Sequence, residues 1–461
     1  MLDVIVVGAG LSGLQTAWDV QKAGYTVLVL EARNRVGGKT YSAPLATGRG
    51  CVELGAAWIN DTNQHRMYGH AKRFGLELVK QSTEGDVVMQ EKRRIHRLPF
   101  GTTPKFSASE VSNLESIRDQ FINISLDRNA DLTPLDEVTV EQFVKEQGAT
   151  PNTLEMVNLW VRVMLGFEAS EISARSFIDY CARGGGFRQM RSDDKHGAQY
   201  LRFRHGTQSV AKNIAKVLGP AVRLSAPVRH VADHGTHVVV TTAAGEQHAA
   251  RKAVIALPTP NYSSLTFSPP LTGDTAAIAS STRLGTYTKV IVCYDTPWWR
   301  SHKLNGMALS YTGPIVVARD TSVDVERQYS LTGFVNGEIG RRWSVLPAHE
   351  RRAKVLQQIA AMFEDAEQAL KPIEVFEQEW VKEEWSKGAV CPTTGPGVLN
   401  KFAWAYGKPV GNLHFVGTEF AREWKGYMEG AVCSGEDGAR EVVEALKGKG
   451  VAGDDSIRSR L

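Results

Sequence analysis

The chain is poor in several features that would place it in a broad class. Its 461 residues hold five cysteines, Cys51, Cys181, Cys293, Cys391 and Cys433, an odd number with no CxxC pair. That argues against a disulfide framework or a cysteine zinc site, so no metal is expected, and it points to a reducing compartment. No apolar run reaches the ~18 residues of a membrane-spanning helix. Neither sign of charge dominates: 54 basic against 50 acidic residues leave +4, too even for a nucleic-acid partner, and there is no dense basic tract. Repeats and low-complexity segments are absent. The first strand starts at Val4, which leaves no room for a leader peptide, so synthesis is expected to end in the cytosol.

What is present starts at once. Val4-Ile5-Val6-Val7 has the β-branched, wholly apolar character of a buried parallel strand, and Gly8-Ala9-Gly10-Leu11-Ser12-Gly13 opens an apolar-periodic helix through Leu14, Ala17 and Val20. Gly8 allows the tight turn, Gly10 lets backbone N–H groups approach a pyrophosphate at the helix N-terminus, and Gly13 lets helix and strand pack closely. A second strand, Thr26-Val27-Leu28-Val29-Leu30, ends in Glu31, whose carboxylate suits a ribose diol and disfavours a 2′-phosphate. One glycine fingerprint is weak, since plain strand-to-helix corners share it. The context is stronger: Ala32-Arg33-Asn34-Arg35-Val36-Gly37-Gly38-Lys39-Thr40 adds a second glycine pair beside arginines, which a bare NAD dehydrogenase would not need.

The length allows two domains of the usual ~100–200 residues. Residues 51–59 read as a strand running into a glycine turn, and 66–74 as a helix. From about 87 to 201 polar helical stretches (108–124, 139–146, 153–165) replace the strand–turn–helix rhythm and suggest an inserted domain, closed by the loop Arg183-Gly184-Gly185-Gly186-Phe187-Arg188-Gln189-Met190-Arg191. Strand character returns at 222–231, 236–242 and 253–257, then at 285–294, 329–335 and 373–380, with a long helix at 348–364. A buried strand at 412–419 and a helix at 430–446 end the ordered chain. A flexible tail, 451–461, finishes in Ser459-Arg460-Leu461, a conservative variant of the peroxisomal Ser-Lys-Leu address; the expected destination is cytoplasm or peroxisome.

The N-terminal fingerprint, Arg35-Val36-Gly37-Gly38, the strand around Lys289, Gly417-Thr418-Glu419 and Trp424-Lys425-Gly426-Tyr427-Met428-Glu429-Gly430-Ala431 together resemble the flavin-containing monoamine oxidase family over nearly the whole chain. Lacking the C-terminal membrane helix of the mitochondrial members, the chain is similar to the soluble fungal-type branch, and its narrower resemblance is to fumonisin amine oxidases. The resemblance implies an α/β fold with an α+β substrate domain. A Rossmann-like FAD-binding domain from 1–80, 205–280 and 391–450 would interleave with a mixed-sheet and helical substrate domain from 81–204 and 281–390. It implies FAD contacts at Gly8, Gly10, Leu11, Ser12, Gly13, Glu31, Ala32, Arg33, Gly38, Lys39, Thr40, Gly55, Ala56, Ala57, Trp58, Val228, Trp380, Cys391, Gly417, Thr418, Glu419, Tyr427, Met428 and Ala431. Family members are often dimers, so a homodimer is compatible with it.

The implied activity is oxidative deamination of a primary amine. A hydride equivalent passes to flavin N5, the imine hydrolyses to an aldehyde or ketone and ammonia, and O2 reoxidises the flavin to give hydrogen peroxide. Lys289 sits mid-strand among apolar residues, where an ammonium needs compensation; the family's matching lysine assists the reaction with oxygen. Tyr427 matches one wall of an aromatic cage that orients the substrate nitrogen. At the second wall the chain departs from the family, because Gly388-Ala389 is followed by Val390-Cys391-Pro392 with no aromatic residue, leaving room for a bulkier amine. In mitochondrial members a cysteine of this segment is bonded to the flavin, and Cys391 lies within one position of it; covalent attachment and a buried free thiol both stay open. Phe187, Arg188, Gln189, Phe334, Val390, Cys391 and Tyr427 are the substrate-contact candidates. The basic loop, with Arg183, Arg188, Arg191 and Lys195, suits carboxylates remote from the amine, as on a long-chain fumonisin-like substrate. Polyamine and L-amino-acid oxidases remain alternatives, as does a flavin-binding interaction protein without turnover, which would not need both Lys289 and Tyr427.

Overall fold

The opening strand, Leu2–Val7, lies inside an eight-stranded sheet, with Val4, Ile5 and Val6 fully buried. The computed structural model describes residues 1–92, 94–102 and 106–448; the tail at 451–461 with Ser459-Arg460-Leu461 lies outside the described residues. Val27–Leu30 and Gln247–Ile255 flank Leu2–Val7 in parallel, in register Val4 to Val27 and Val7 to Ile255, and Leu413–Phe415 adds a further parallel strand. Parallel strands covered on both faces need continuous apolar runs, and this is why the first strand lacks alternation. Helices Leu11–Lys22 and Met428–Leu446 pack together on the sheet. Their approach depends on missing side chains: a Cβ on Gly435 would stand 2.6 Å from the Ser12 carbonyl oxygen.

A second sheet of seven strands runs in the order Glu374–Glu379, Tyr287–Tyr294, Tyr329–Asn336, Val317–Asp320, Leu304–Ser310, Asp86–Glu91, Arg94–Pro99. Lys289 faces Phe334 across the antiparallel pair Tyr287–Tyr294/Tyr329–Asn336, the second and third strands of that order. Helices Ala108–Leu126, Val140–Glu146, Pro151–Leu165 and Ala174–Arg183 form a separate layer. Their boundaries are written locally: Thr139 closes a capping box with Gln142, Thr150 caps a helix whose first residue is Pro151, and Gly166 ends it in the left-handed region at φ 76°.

The chain thus passes between the two sheets repeatedly, the first taking strands from residues 2–30, 222–268 and 413–415 and the second from 86–99, 287–336 and 374–379. The expected boundary between 390 and 391 falls inside a strand, Ala389–Thr394, which pairs with Thr282–Gly285. The stretch 222–231 is two strands, Val222–Arg223 and Val228–Asp233, split by Ser225 at φ 55°. The hairpin Asp86–Glu91/Arg94–Pro99 escapes the sequence pattern because its outer strand, Arg94-Ile95-His96-Arg97-Leu98-Pro99, breaks alternation at His96-Arg97 and lies in a generally polar stretch. The helix Ala174–Arg183 escapes it too.

Phe187 is a correction. Expected to touch substrate, it is fully buried among core rings, edge-on to Trp160 at 5.0 Å and tilted against Phe121 at 5.4 Å. Three consecutive glycines let the loop fold back and drive this ring into the helical layer. Phe187→Ala is expected to lower stability by about 3–5 kcal/mol, read as a fall in the denaturant midpoint; an unchanged midpoint would refute the core assignment.

Candidate functional site

One cavity runs from the C-terminal ends of the first sheet's parallel strands to the face of the second sheet. At its first end Gly8 takes φ +106°, and a Cβ there would lie 2.9 Å from the Ala256 carbonyl oxygen. Gly10 faces open space and precedes the helix Leu11–Lys22, which has no side-chain cap. The first-turn N–H groups are left for an anion. Gly13 does not line the cavity: a Cβ on it would stand 2.1 Å from the Gly8 carbonyl oxygen, so it serves the close packing of turn and helix.

Glu31 is buried and accepts hydrogen bonds from the backbone N–H of Ala9 (2.7 Å) and Arg33 (2.9 Å). The second glycine pair lies against the first turn, with Gly37 N–H donating to the Ala9 carbonyl at 2.8 Å. Gly38 sits so close that its Cβ would come within 3.3 Å of Gly10 Cα. Thr40 donates to the Gly37 carbonyl, Arg33 pairs with Glu383 at 3.0 Å, and Lys39 donates to the Val390 carbonyl at 2.6 Å. Glu419 accepts from both the N–H and the hydroxyl of Thr259, and the Thr418 hydroxyl donates to the Tyr427 carbonyl. Leu11, Ser12, Ala32, Gly55, Ala56, Ala57, Trp58, Val228, Trp380, Gly417, Met428 and Ala431 complete this part of the wall, Trp380 held by its indole N–H on the Leu54 carbonyl. A turn in which a Cβ would clash, an uncapped helix terminus and a pinned carboxylate fit the pyrophosphate and ribose of FAD, and the cavity continues past them toward the second sheet.

At the other end Lys289 is 4 % exposed. Its ammonium donates to the backbone carbonyls of Glu53, at 3.1 Å, and Gly55, and it lies 5.2 Å from the Trp58 ring and 5.5 Å from the Phe334 ring. Burial brings its pKa down to about 8, opposed by the nearby Glu53 carboxylate, which burial in turn raises. That carboxylate is held by Ser42 and Thr207.

Tyr427 and Val390 both line the cavity, as does Phe334. The ring beside Tyr427 is Tyr180, near-parallel at 20° with 6.2 Å between centroids. Tyr180 was not legible as a site residue; its only signal was its place on an amphipathic helix begun by the Ser173 cap. Cys391 is a further correction: it is buried away from the lining, beneath Gly426, and burial pushes its thiol up to about 12. The residues of this strand that reach the cavity are Ala389 and Val390. Arg188 and Gln189 do not line the cavity; Arg188 is exposed and the Gln189 amide donates to the His196 carbonyl. Arg183 is bound to Asp179. From the same loop, Met190 and Arg191 reach the wall instead.

Residues 11–443 match the family described as flavin containing amine oxidoreductase. The chain is 32% identical over 454 residues to the provisionally named flavin-containing monoamine oxidase AofH of Mycobacterium tuberculosis, covering 96% of this chain and 97% of the relative. Amine oxidase [flavin-containing] B of Sus scrofa is 30% identical over 455 residues, 96% of this chain and 86% of its own length. Among solved structures, a putrescine oxidase bound to putrescine superposes with a TM-score of 0.90 at 27% identity, covering 96% of this chain and 99% of that one. Cyclohexylamine oxidase from Brevibacterium oxydans IH-35A gives 0.88 at 27%, with coverage of 97% and 99%.

With Cys391 off the cavity wall, the flavin is expected to be held without a covalent bond. Acid precipitation should leave the yellow colour in the supernatant, for the wild type and for Cys391→Ser alike; colour retained in the wild-type pellet would contradict this.

Proposed function

We propose, from the premise that this chain belongs to the flavin containing amine oxidoreductase family, that it oxidises a bulky primary amine in the chamber between Lys289, Tyr427 and Phe334. The protein is an FAD-dependent amine oxidase by family. FAD, when bound, would supply the acceptor for the hydride equivalent from the amine α-carbon, and its reoxidation would give O2 two electrons and two protons as hydrogen peroxide. The observation that carries the reading is the continuity of one cavity from the glycine turn at Gly8–Gly10 to Lys289 and Tyr427.

The chain's own residues supply binding, orientation and dryness. Gly8, Gly10, Ser12 and Glu31 would hold the dinucleotide, with Lys39, Thr418 and Met428 farther along. The Tyr427 ring offers its face to the substrate nitrogen. Leu159, Val163, Leu309, Val317 and Phe334 exclude water around it, which keeps the amine neutral and the imine from early loss. Val390 leaves the opposite side open, consistent with a substrate broader than a simple aryl amine. Because burial lowers the Lys289 pKa, its side chain gives up its positive charge and proton to the chamber at a lower pH than an exposed lysine would, around pH 8.

The narrower proposal is a long-chain aliphatic amine carrying carboxylates, of the fumonisin kind.

The test is an anaerobic spectrum. Adding a long primary amine should bleach the oxidised flavin, and air should restore it with release of hydrogen peroxide; no bleaching with primary amines, polyamines or amino acids would defeat the reading. Lys289→Met should slow the oxygen half-reaction by about 100-fold, the scale of losing one charge-stabilising donor. In the wild type that half-reaction should fall as pH rises through about 8, and in the variant this dependence should vanish. Stopped-flow reoxidation across pH measures both.

A further inference from the structure

Two arginines stand on the substrate end of the cavity wall, and only one is neutralised. Arg319, on Val317–Asp320, is buried and bonded to the Asp193 carboxylate, with its guanidinium 5.7 Å from the Trp58 ring centroid. Asp193 does not line the cavity and cancels that charge from behind. Arg191 has no such partner: among the described residues no carboxylate or hydrogen-bond acceptor reaches its guanidinium, which lies 4.5 Å over the Trp160 ring and 4.8 Å over the Phe187 ring. The side chain is accessible, yet surrounding protein desolvates it and brings its pKa down to about 10. Both hold at once where a side chain faces an internal cavity, and Arg191 is on the wall of this one.

The rest of the wall sharpens the point. Among the described residues its carboxylates are Glu31 and Glu419, both at the dinucleotide end and both held by backbone N–H groups. Around Arg191 the lining is Leu159, Trp160, Met190, Ala198 and Gln199. A desolvated cation with no counter-charge is costly until something brings one. Planar guanidinium and carboxylate match as a fork, through charge-assisted hydrogen bonds stronger than neutral ones. A second ammonium on the substrate would meet repulsion at the same place.

We infer that Arg191 is an anion subsite inside the substrate cavity, and that the preferred substrate is an amine that also bears a carboxylate. The inference rests on the amine-oxidase reading of this cavity and names its substrate class. The carboxylate can sit on the carbon that carries the amine or at the far end of the chain; the chemistry at Arg191 is the same.

The holoenzyme is tested with four probes of one chain length: hexylamine, 6-aminohexanoate, L-norleucine and 1,6-diaminohexane. One of the two aminocarboxylates is expected to exceed hexylamine in kcat/KM by at least about tenfold, and the diamine to fall below hexylamine. Which acid is better reports where the carboxylate lies. In Arg191→Gln the acid-to-amine ratio should fall by about 10- to 100-fold, with part of the preference kept in Arg191→Lys, which retains charge but loses the fork. Hexanoate, which has no amine to oxidise, should perturb the flavin spectrum on binding to the wild type and bind at least about tenfold more weakly to Arg191→Gln. Hexylamine or the diamine equal to or better than both acids, or an acid-to-amine ratio and hexanoate affinity that do not move in the variants, would overturn the inference. Failure of the oxidase reading shows separately, as a flavin that no probe bleaches, while the hexanoate titration still decides the subsite.

Discussion

A buried ammonium ties the two halves of this molecule together. Lys289 stands on an interior strand of the second sheet, but its hydrogen bonds go to the Glu53 and Gly55 carbonyls, in the segment that supplies Gly55 to Trp58 to the cavity. An unpaired buried charge is costly, so the strand and the glycine turn are constrained to meet at this point. Glu53 extends the tie through the Ser42 hydroxyl and the Thr207 backbone N–H, both of which donate to it, while the Thr207 hydroxyl donates to the Ala56 carbonyl. The groups that tune Lys289 and the groups that position the cavity wall are therefore the same set.

Close approach of backbone to backbone is the second constraint. The dinucleotide end exists because the turn at Gly8, the helix start at Gly10 and the second glycine pair at Gly37 and Gly38 occupy space that side chains would fill. The same device recurs where the layers meet: a Cβ on Gly285 would stand 1.9 Å from the Leu165 carbonyl oxygen. Strand Thr282–Gly285 thereby touches the end of helix Pro151–Leu165 and brings the helical layer, with Trp160 and Met164, onto the cavity.

The cavity is electrically divided. At one end an uncapped helix terminus and the backbone around Glu31 suit a phosphate and a sugar diol; at the other, apolar side chains and aromatic faces surround a few cations, each with a different partner. Lys289 rests on backbone carbonyls, Arg319 on a carboxylate, and Arg191 on two ring faces alone. These differences in compensation, more than the number of charges, separate what holds the fold from what meets a ligand.

Residues close in sequence carried the parts of this protein that local physics decides. The apolar run at Val4–Val7, the glycine spacing and Glu31 after the second strand act within a turn or two of themselves, so strand, turn and helix could be read in order along the chain, whereas the Gly417 and Tyr427 segments were legible only through the family resemblance and the cap at Thr150 lies ahead of the helix start the sequence suggested. Which way a side chain points in an irregular segment was decided only by packing. In the loop after Arg183, Phe187 goes to the core because Phe121, Phe177 and Trp160 offer a matching surface, while Arg191 is left on the cavity wall. In Ala389–Thr394, the irregular start of the pairing with Thr282–Gly285 leaves both Ala389 and Val390 on the chamber wall and Cys391 off it, which no regular alternation would give. Tyr180 comes to Tyr427 from a helix nearly 250 residues away in the chain. No local pattern encodes such a meeting, because it is the sum of every packing contact between the layers.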